Sequence, residues 1–314
     1  MNGFVHESVM LDEIVEVFAA MPAGTFVDAT LGGAGHAVAV LAAHADVTLL
    51  GIDQDDAALT AAARRLEESG LGGRAALRRA RFESVGQVVE GEGIGAIAGA
   101  LFDLGVSSPQ FDVAERGFSY RHDAPLDMRM DRSRGLSADV VVNTYSAEQL
   151  ATIISDYSDE RFAGRIARAI VANRPVRGTA QLAEIVTNAI PAATRRRGGH
   201  PAKRTFQALR IEVNQELEIL PVALRSAIGL LAPGARLAVL SYHSGEDRIV
   251  KSVMREAETG GCTCPRDLPC GCGATATVRK VRVRREATPA EAARNPRAGS
   301  ARLRVVEKLA VGGM

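Results

Sequence analysis

The chain has 314 residues, of which 46% are apolar and 24% are charged, and its formal net charge is +1. This composition excludes a disordered chain, and the length suffices for one large domain or two ordinary ones. No apolar run approaches the roughly 20 residues that a membrane helix needs. The N-terminal segment lacks the basic region of a signal peptide. We therefore expect a globular, cytoplasmic protein without a membrane partner.

Over the first 105 residues, short apolar runs alternate with helical patterns. Helical spacing predicts an opening helix over residues 8–19. The predicted strands cover residues 25–29, 47–53, 75–81 and 96–105. Three predicted helices lie between these strands, one from a glycine-rich loop to about His44 and the others over residues 57–69 and 85–90. This alternation predicts a parallel sheet covered on both faces, and right-handed crossovers make it doubly wound.

The alternation stops between residues 113 and 213, where only helices are predicted, over residues 147–156, 159–173 and 179–190. A strand returns after Gly234, a helix follows over residues 245–258, and residues 278–285 and 301–309 are predicted to form a closing antiparallel pair. We therefore predict an α/β fold in which residues 1–112 and 214–314 form one discontinuous domain. We further predict that residues 113–213 form an inserted helical domain, and we expect this domain to recognise the substrate.

The predicted insert is basic, although the whole chain is nearly neutral. Residues 113–213 contain 16 basic and 11 acidic residues, a net charge of +5, against −4 for the remainder. The densest basic stretch comprises Arg195, Arg196 and Arg197, followed by Lys203, Arg204 and Arg210. A basic patch on one domain is typical of a protein that binds a phosphate-bearing polymer. A solvated surface loop is the alternative interpretation.

The stretch from Phe26 to His36 combines an apolar run, three glycines within four positions and the start of a helix. Glycine lets the backbone approach a ligand, and a helix start offers N–H groups, so this pattern predicts a nucleotide-binding loop. An ordinary tight turn is the alternative. Asp53 ends the second strand 25 residues after Asp28, where a carboxylate can accept hydrogen bonds from ribose hydroxyls.

The residues after the glycines help to distinguish a dinucleotide cofactor from S-adenosylmethionine. A dinucleotide motif needs a third small residue, and Val38 follows Ala37 instead. The acid-plus-glycine pattern suits S-adenosylmethionine better, which makes a dehydrogenase the lesser interpretation. Asp103 ends the fourth strand before a proline turn, so it could place an amine beside a methyl donor. A polar strand exit is the alternative for this segment.

Several motifs resemble the bacterial 16S ribosomal RNA cytosine-N(4) methyltransferase family over essentially the whole chain. They are DATLGGAGH (28–36), DLGVSSPQFD (103–112), ERGFSY (115–120), PLDMRMD (125–131), RTFQALRI (204–211), SYHSGEDRIVK (241–251) and NPRA (295–298). The resemblance implies transfer of a methyl group from S-adenosylmethionine to the exocyclic amine of a cytidine in the ribosomal decoding region. It also implies a class I, Rossmann-like methyltransferase domain with a helical insert. The expected partner is 16S rRNA or the small ribosomal subunit, and a homodimer is left open.

The resemblance also assigns site residues by matching motif. The implied cofactor site comprises Gly33, Ala34, Gly35, His36, Asp53, Phe82, Asp103 and Gln110. Apart from the resemblance, Asp103 is the candidate catalytic residue, and Arg204 and His243 are candidate substrate contacts. The chain departs from the family pattern at Ala34, where glycine is frequent, and at Tyr242, where phenylalanine is usual.

The cytosine amine is a poor nucleophile because its lone pair is delocalised into the ring, so the enzyme must accelerate the reaction by positioning. Asp103 or a neighbouring main-chain carbonyl is expected to accept a hydrogen bond from the amine. The base must leave its stack, and Phe118, Tyr120 and Phe206 could hold it, although core roles are equally compatible. A structural hydrogen bond is favoured for His243.

Two other functions compete with this interpretation. A DNA amino methyltransferase usually carries an Asp/Asn/Ser-Pro-Pro-aromatic motif after the fourth strand, which Ser107-Ser108-Pro109-Gln110 does not match. A ribosome-assembly factor could keep the fold without turnover, but the intact glycine loop with Asp53 and Asp103 argues against lost cofactor binding.

All four cysteines lie within eleven positions near the end of the chain: Cys262, Cys264, Cys270 and Cys272. Four thiolates could hold zinc tetrahedrally, but their spacing is tighter than that of the usual zinc knuckle. A flexible reduced loop is the alternative, and no residue is assigned as a metal ligand.

Overall fold

The computed structural model describes residues 7–105, 114–133, 135–195, 199–265 and 271–310. The chain divides into two units, each with its own core. We call Met1–Gly105 together with Ile219–Met314 the sheet unit, and Val106–Glu218 the helical unit. The role of the predicted insert in substrate recognition stays a prediction.

Seven strands form one sheet in the sheet unit. They are β1 (Gly24–Asp28), β2 (Val47–Asp53), β3 (Ala75–Arg79), β4 (Ile97–Asp103), β5 (Leu231–Ser241), β6 (Val278–Lys280) and β7 (Arg302–Lys308). Their order is β3-β2-β1-β4-β5-β7-β6. The first five are parallel, and β7 runs antiparallel to both β5 and β6. The order reverses between β1 and β4, which confirms the predicted doubly wound α/β sheet.

Helices cover both faces of this sheet. They are α1 (Leu11–Phe18), α2 (Gly35–Ala43), α3 (Asp56–Glu68), α4 (Val85–Gly91), α11 (Glu216–Leu230, most of it in this unit), α12 (Ser244–Thr259) and α13 (Pro289–Arg294). Successive residues of a strand point to opposite faces. Val27 and Phe102 therefore pack against α4, α11 and α12, whereas Phe26 and Leu101 pack against α1, α2 and α3.

The described part of the helical unit contains helices and no strand. They are α5 (Ala138–Thr144), α6 (Ala147–Ser158), α7 (Ala163–Ala172), α8 (Thr179–Ala189), α9 (Ala192–Arg195) and α10 (Lys203–Asn214). Ser137 caps α5, and Ser146 forms a capping box with Gln149 at the start of α6. Their apolar faces enclose one buried cluster that includes Leu150, Ile166 and Leu209.

The structure corrects several predicted bounds. The predicted helix over residues 159–173 begins only at Ala163, because Asp159 adopts a left-handed conformation (φ 51°) and ends α6. Helices α5, α10 and α11 had no counterpart in the predicted elements. Strand β5 begins at Leu231, before Gly234, and its register against β4 shifts between Ile97 and Gly99. Because the pairing is irregular at the start of β5, the hydrophobic alternation in the sequence does not reveal its first residues.

Asn214 ties the end of α10 to the segment around Met128 and Met130. Its Oδ1 accepts a hydrogen bond from the Met130 N–H at 2.9 Å. Its Nδ2 donates to the Met128 carbonyl at 2.8 Å and to the Arg210 carbonyl at 2.8 Å. The side chain is 6% exposed. One buried amide therefore satisfies main-chain groups from two distant segments of the helical unit.

None of the helices in the described part of the chain has the length and apolar character that a membrane span requires.

Replacing Asn214 with leucine should destabilise the helical unit. A buried polar group left without its partner costs about 1–3 kcal/mol, so the midpoint of thermal unfolding should fall markedly. Asn173→Leu is the matched control, because the Asn173 amide is exposed and donates only to the Ala169 carbonyl. Equal midpoints for the two variants would contradict the structural role of Asn214.

Candidate functional site at the carboxyl edge of the sheet

Three neighbouring parallel strands end on aspartates: Asp53 ends β2, Asp28 ends β1 and Asp103 ends β4. Carboxyl ends of parallel strands meet at one edge of the sheet, so these acids lie together there. Burial raises the pKa of Asp28 to about 8, a hydrogen bond from the Thr30 N–H opposes the shift, and the charges of Asp103 and Asp53 add to it. Burial thus favours the protonated form of Asp28 at neutral pH.

The loop between β1 and α2 is fixed to the end of β2. The Leu31 N–H donates to the Ile52 carbonyl at 3.0 Å, and the Gly32 N–H donates to Asp53 Oδ2 at 2.9 Å. Gly32 and Ala34 both have positive φ values, 52° and 58°. A side chain in this conformation costs roughly 1–2 kcal/mol. This strain gives a physical reason for the glycine that the resembling family pattern has at the position of Ala34.

Gly33 and Gly35 have different neighbours. A Cβ added to Gly33 would meet no described atom within 4 Å, so its open side is free to receive a ligand. A Cβ added to Gly35 would lie 1.9 Å from Ser8 Oγ. Gly35 therefore lets the segment before α1 lie against the first residue of α2, whereas Gly33 leaves space above the loop.

Asp53 accepts hydrogen bonds from three main-chain donors, Gly32, Asp55 and Gln54. Its Oδ2 accepts from Gly32, and its Oδ1 accepts from the Asp55 N–H at 2.9 Å. Burial raises the pKa of Asp53 to about 6, although these hydrogen bonds lower it. Each carboxylate oxygen has a second lone pair. Asp53 can therefore hold the loop and still accept a hydrogen bond from a ligand hydroxyl group.

Asp103 is contacted by side chains from three other segments. The Tyr242 hydroxyl donates to Asp103 Oδ1 at 2.5 Å, and the Asp103 N–H donates to Thr30 Oγ1 at 2.6 Å. His36 Nδ1 lies 3.6 Å from Asp103 Oδ2. Burial raises the pKa of Asp103, while His36 and the Tyr242 hydroxyl lower it. The carboxylate is thus fixed in position at the end of β4.

His36 connects this aspartate to the N-terminal segment. Its Nε2 lies 2.8 Å from the Val9 carbonyl oxygen, and the ring is buried. A carbonyl oxygen only accepts, so Nε2 carries a hydrogen and Nδ1 is the nitrogen that faces Asp103. The Nδ1 atom of His36 therefore points toward Asp103.

Thr30 and Tyr242 are site residues that the sequence did not single out for a role. Tyr242 looks like a conservative exchange for phenylalanine in the sequence, but its hydroxyl is the group that contacts Asp103. Burial and the negative charge of Asp103 raise the pKa of Tyr242 well above its ordinary value, so the hydroxyl remains a donor. The pattern gave no signal for this contact, because the two residues lie 139 positions apart.

The remaining predicted residues of the sheet unit lie at two places. Phe82 begins a 3₁₀ turn after β3, half-buried, with its ring centroid 6.1 Å from that of Phe102. His243 caps α12 in a capping box with Glu246, and its Nε2 lies 3.1 Å from Glu246 Oε1. This contact agrees with the structural role favoured for His243. Its contact with substrate stays a prediction, and Gln110 lies outside the described residues.

The candidate residues of the helical unit separate into core and surface. Phe118 and Phe206 are buried in the core, whereas Tyr120 is partly exposed and stacks on His200 with ring centroids 4.2 Å apart. Arg204 is exposed at the start of α10, and its Nη1 donates to the Asp159 carbonyl at 3.1 Å. Tyr120 is therefore the aromatic residue of the three that keeps an accessible ring.

The predicted basic patch is smaller than the sequence suggests. Arg210 donates to both carboxylate oxygens of Glu216, at 2.8 and 2.9 Å, and both side chains are largely buried. Arg210 therefore serves the structure of the helical unit. Lys203 and Arg204 remain exposed, while Arg196 and Arg197 lie outside the described residues.

Comparison with known proteins gives a consistent result over the whole chain. A model of the MraW methylase family matches residues 3–309. A protein of Symbiobacterium thermophilum named ribosomal RNA small subunit methyltransferase H is 51% identical, covering 99% of this chain and 98% of the relative. A protein of the same name from Thermobifida fusca is 49% identical, covering 96% of this chain and 93% of the relative.

Solved structures resemble the chain more distantly. The O-methyltransferase TomG of Streptomyces achromogenes, solved in complex with S-adenosylmethionine, has 8% sequence identity and a TM-score of 0.47. The match covers 99% of this chain and 84% of that chain.

The raised pKa of Asp28 predicts a pH-dependent stability. Between its ordinary pKa of 3.8 and about 8, the folded chain keeps a proton that the unfolded chain has lost. The folded state then binds more protons, so this group lowers stability as pH rises through that window. Asp28→Asn removes the effect and keeps the acceptor for the Thr30 N–H.

We therefore expect the midpoint of thermal unfolding of Asp28→Asn to exceed that of the parent chain increasingly as pH rises from about 5 to about 8. Glu148→Gln, at an exposed position of the helical unit, should show no such widening. A constant difference between Asp28→Asn and the parent would mean that Asp28 is ionised throughout.

Proposed function

The chain belongs to the MraW methylase family, and from this membership we propose that it is an S-adenosylmethionine-dependent methyltransferase. Its proposed reaction is methylation of the exocyclic N4 amine of a cytidine in the decoding region of 16S ribosomal RNA. The match of the family model over residues 3–309 carries this proposal. Relatives with the small-subunit methyltransferase name, about half identical over nearly the full length of both chains, support the substrate.

The carboxyl edge of the sheet fits S-adenosylmethionine. Gly33 leaves open space beside the loop, and Asp53 keeps acceptor capacity for a ribose hydroxyl. Phe82 follows β3, the strand next to β2, where an adenine could lie against its ring. We assign the amino-acid end to Ala34, Gly35 and His36, and the donor end to Asp103 and Gln110.

Bound S-adenosylmethionine supplies a methyl group on a positively charged sulfonium, which a correctly placed amine can attack. The chain contributes position and hydrogen bonding. Asp103 accepts a hydrogen bond from the cytosine amine, which aligns the nitrogen and favours the positive charge that develops on it. The amine loses one proton after methyl transfer, to Asp103 or to solvent. The Tyr242 hydroxyl holds Asp103 Oδ1 throughout.

RNA binding is assigned to the helical unit. Lys203 and Arg204 provide exposed positive charge, and the accessible face of the Tyr120 and His200 pair offers a surface on which a base can stack. These groups recognise phosphate and unstacked bases, which single-stranded ribosomal RNA presents.

We further propose a cytoplasmic location, because this is where small ribosomal subunits carry the expected substrate. A homodimer stays a prediction, and light scattering on the eluting chain would test it.

The decisive activity experiment transfers a labelled methyl group to purified small ribosomal subunits that lack the modification. Nucleoside analysis should detect the label as N(4)-methylcytidine. Asp103→Asn should lower turnover by about 10²-fold or more, since it loses the charge that stabilises the developing cation. Label in any other nucleoside would contradict the proposed reaction, and full turnover by Asp103→Asn with unchanged cofactor affinity would contradict the role of Asp103.

The Tyr242 hydroxyl predicts a change in pH dependence. Its hydrogen bond favours the ionised form of Asp103, so Tyr242→Phe should raise the pKa of Asp103 and move the acid limb of the pH–rate profile to higher pH. A lost hydrogen bond to a charged group costs about 1.5–3 kcal/mol, so turnover near neutral pH should fall by roughly 10- to 150-fold.

Tyr145→Phe is the matched control for this variant. The Tyr145 hydroxyl donates to Glu212 Oε1 at 2.8 Å within the helical unit, so the same chemical change removes a hydrogen bond to a different carboxylate. Its pH–rate profile should coincide with that of the parent chain. A Tyr242→Phe profile identical to the parent would show that the hydroxyl does not influence Asp103.

A further inference from the structure

The segments on either side of the cysteine-rich loop lie against each other at its base. Gly260 caps the C-terminal end of helix α12 and has a φ of 64°. A Cβ added to Gly260 would lie 2.5 Å from the main-chain nitrogen and oxygen of Thr275. The Thr277 N–H donates to the Ala257 carbonyl at 2.9 Å. The backbone therefore brings the end of α12 next to the segment before β6.

This closure brings three thiols together. Cys262 and Cys264 follow α12 and are partly buried, and Cys272 approaches from the returning segment and is exposed. Their sulfur atoms all lie within 4.8 Å of one another. The Cys262 N–H donates to the Thr259 carbonyl at 3.2 Å, which fixes the first cysteine to the last turn of the helix. The segment that follows α12 and the segment that returns toward β6 therefore place their cysteine sulfur atoms close together.

We propose that Cys262, Cys264 and Cys272 bind one zinc ion, which closes the loop between α12 and β6. Zinc–sulfur bonds of about 2.3 Å in tetrahedral geometry place sulfur atoms about 3.8 Å apart. The three thiols need only a small contraction from their present separation to reach that arrangement. Cys270 lies outside the described residues, so the proposed set has three sulfurs and takes a fourth ligand from outside this set.

The donor set selects the metal. Thiolates favour zinc and other thiophilic ions, whereas magnesium and calcium require oxygen ligands. The group of converging ligand atoms in the described residues consists of cysteines alone. Binding releases the thiol protons to solvent, because a thiol coordinates zinc as the thiolate.

The position of the cluster indicates a structural metal. Helix α12 has 16 residues, begins after His243 at the carboxyl edge of the sheet and ends at the cysteine-rich loop. A helix of that length extends about 24 Å. The cluster therefore lies far from Asp103 and holds the loop at the opposite end of the helix. This inference is independent of the proposed methyl transfer.

Metal analysis of the full chain, prepared without a histidine tag or chelator, tests the proposal. After incubation with zinc chloride and desalting, mass spectrometry should find one zinc ion per chain. Cys262→Ser, Cys264→Ser and Cys272→Ser should each lose most of it. Thr263→Ser is the matched control, because it changes an exposed residue between two of the cysteines and should retain zinc. A parent chain without zinc, or cysteine variants with full zinc content, would overturn the proposal.

Cobalt replacement keeps the test valid if a cysteine variant fails to fold. The parent chain loaded with cobalt should show thiolate-to-cobalt charge-transfer absorption and the visible bands of a tetrahedral site. A cobalt spectrum without thiolate charge transfer, or a disulfide among the three cysteines in freshly isolated protein, would also overturn the proposal.

Discussion

The burial of three carboxyl groups at the ends of adjacent strands is the constraint on which the site depends. Asp53, Asp28 and Asp103 lose much of their hydration at the edge of the sheet, and each pKa rises as a result. Isolated buried carboxylates would neutralise by taking up protons. Here the glycine loop supplies the Gly32 N–H to Asp53, and the Tyr242 hydroxyl and His36 face Asp103. The same contacts that offset the desolvation of the acids fix their positions.

This arrangement links stability to function. Burial favours the protonated form of Asp28, which limits the negative charge at this edge of the sheet. Asp53 holds the glycine loop on one side, while Gly33 leaves its other side open. Ala34 accepts backbone strain in the same loop. The buried carboxyl groups and the strained loop lower the stability of the free protein. They also place hydrogen-bond acceptors in position before a ligand binds.

The sequence predicted the parts of the site that depend on local pattern. Apolar runs ended on Asp53 and Asp103, and parallel pairing then brought the strand ends together. Contacts between distant segments were not predictable, because nothing in the spacing indicates that Thr30 meets Asp103 or that Tyr242 reaches it. The same limit applies to Arg210, which counts as surface charge in the sequence but pairs with Glu216. Helix α10 was not among the predicted elements, because its apolar residues lie on more than one face and do not form the single stripe that predicts a surface helix.

The central claim is that the carboxyl edge of the sheet binds S-adenosylmethionine through Asp53 and Asp103. Calorimetric titration of S-adenosylmethionine into the parent chain and into Asp53→Ala tests it most directly. The parent should bind one equivalent, and Asp53→Ala should bind at least tenfold more weakly, because the ribose loses a charged acceptor. Equal affinity in the two chains, or no binding by a folded parent, would contradict the claim.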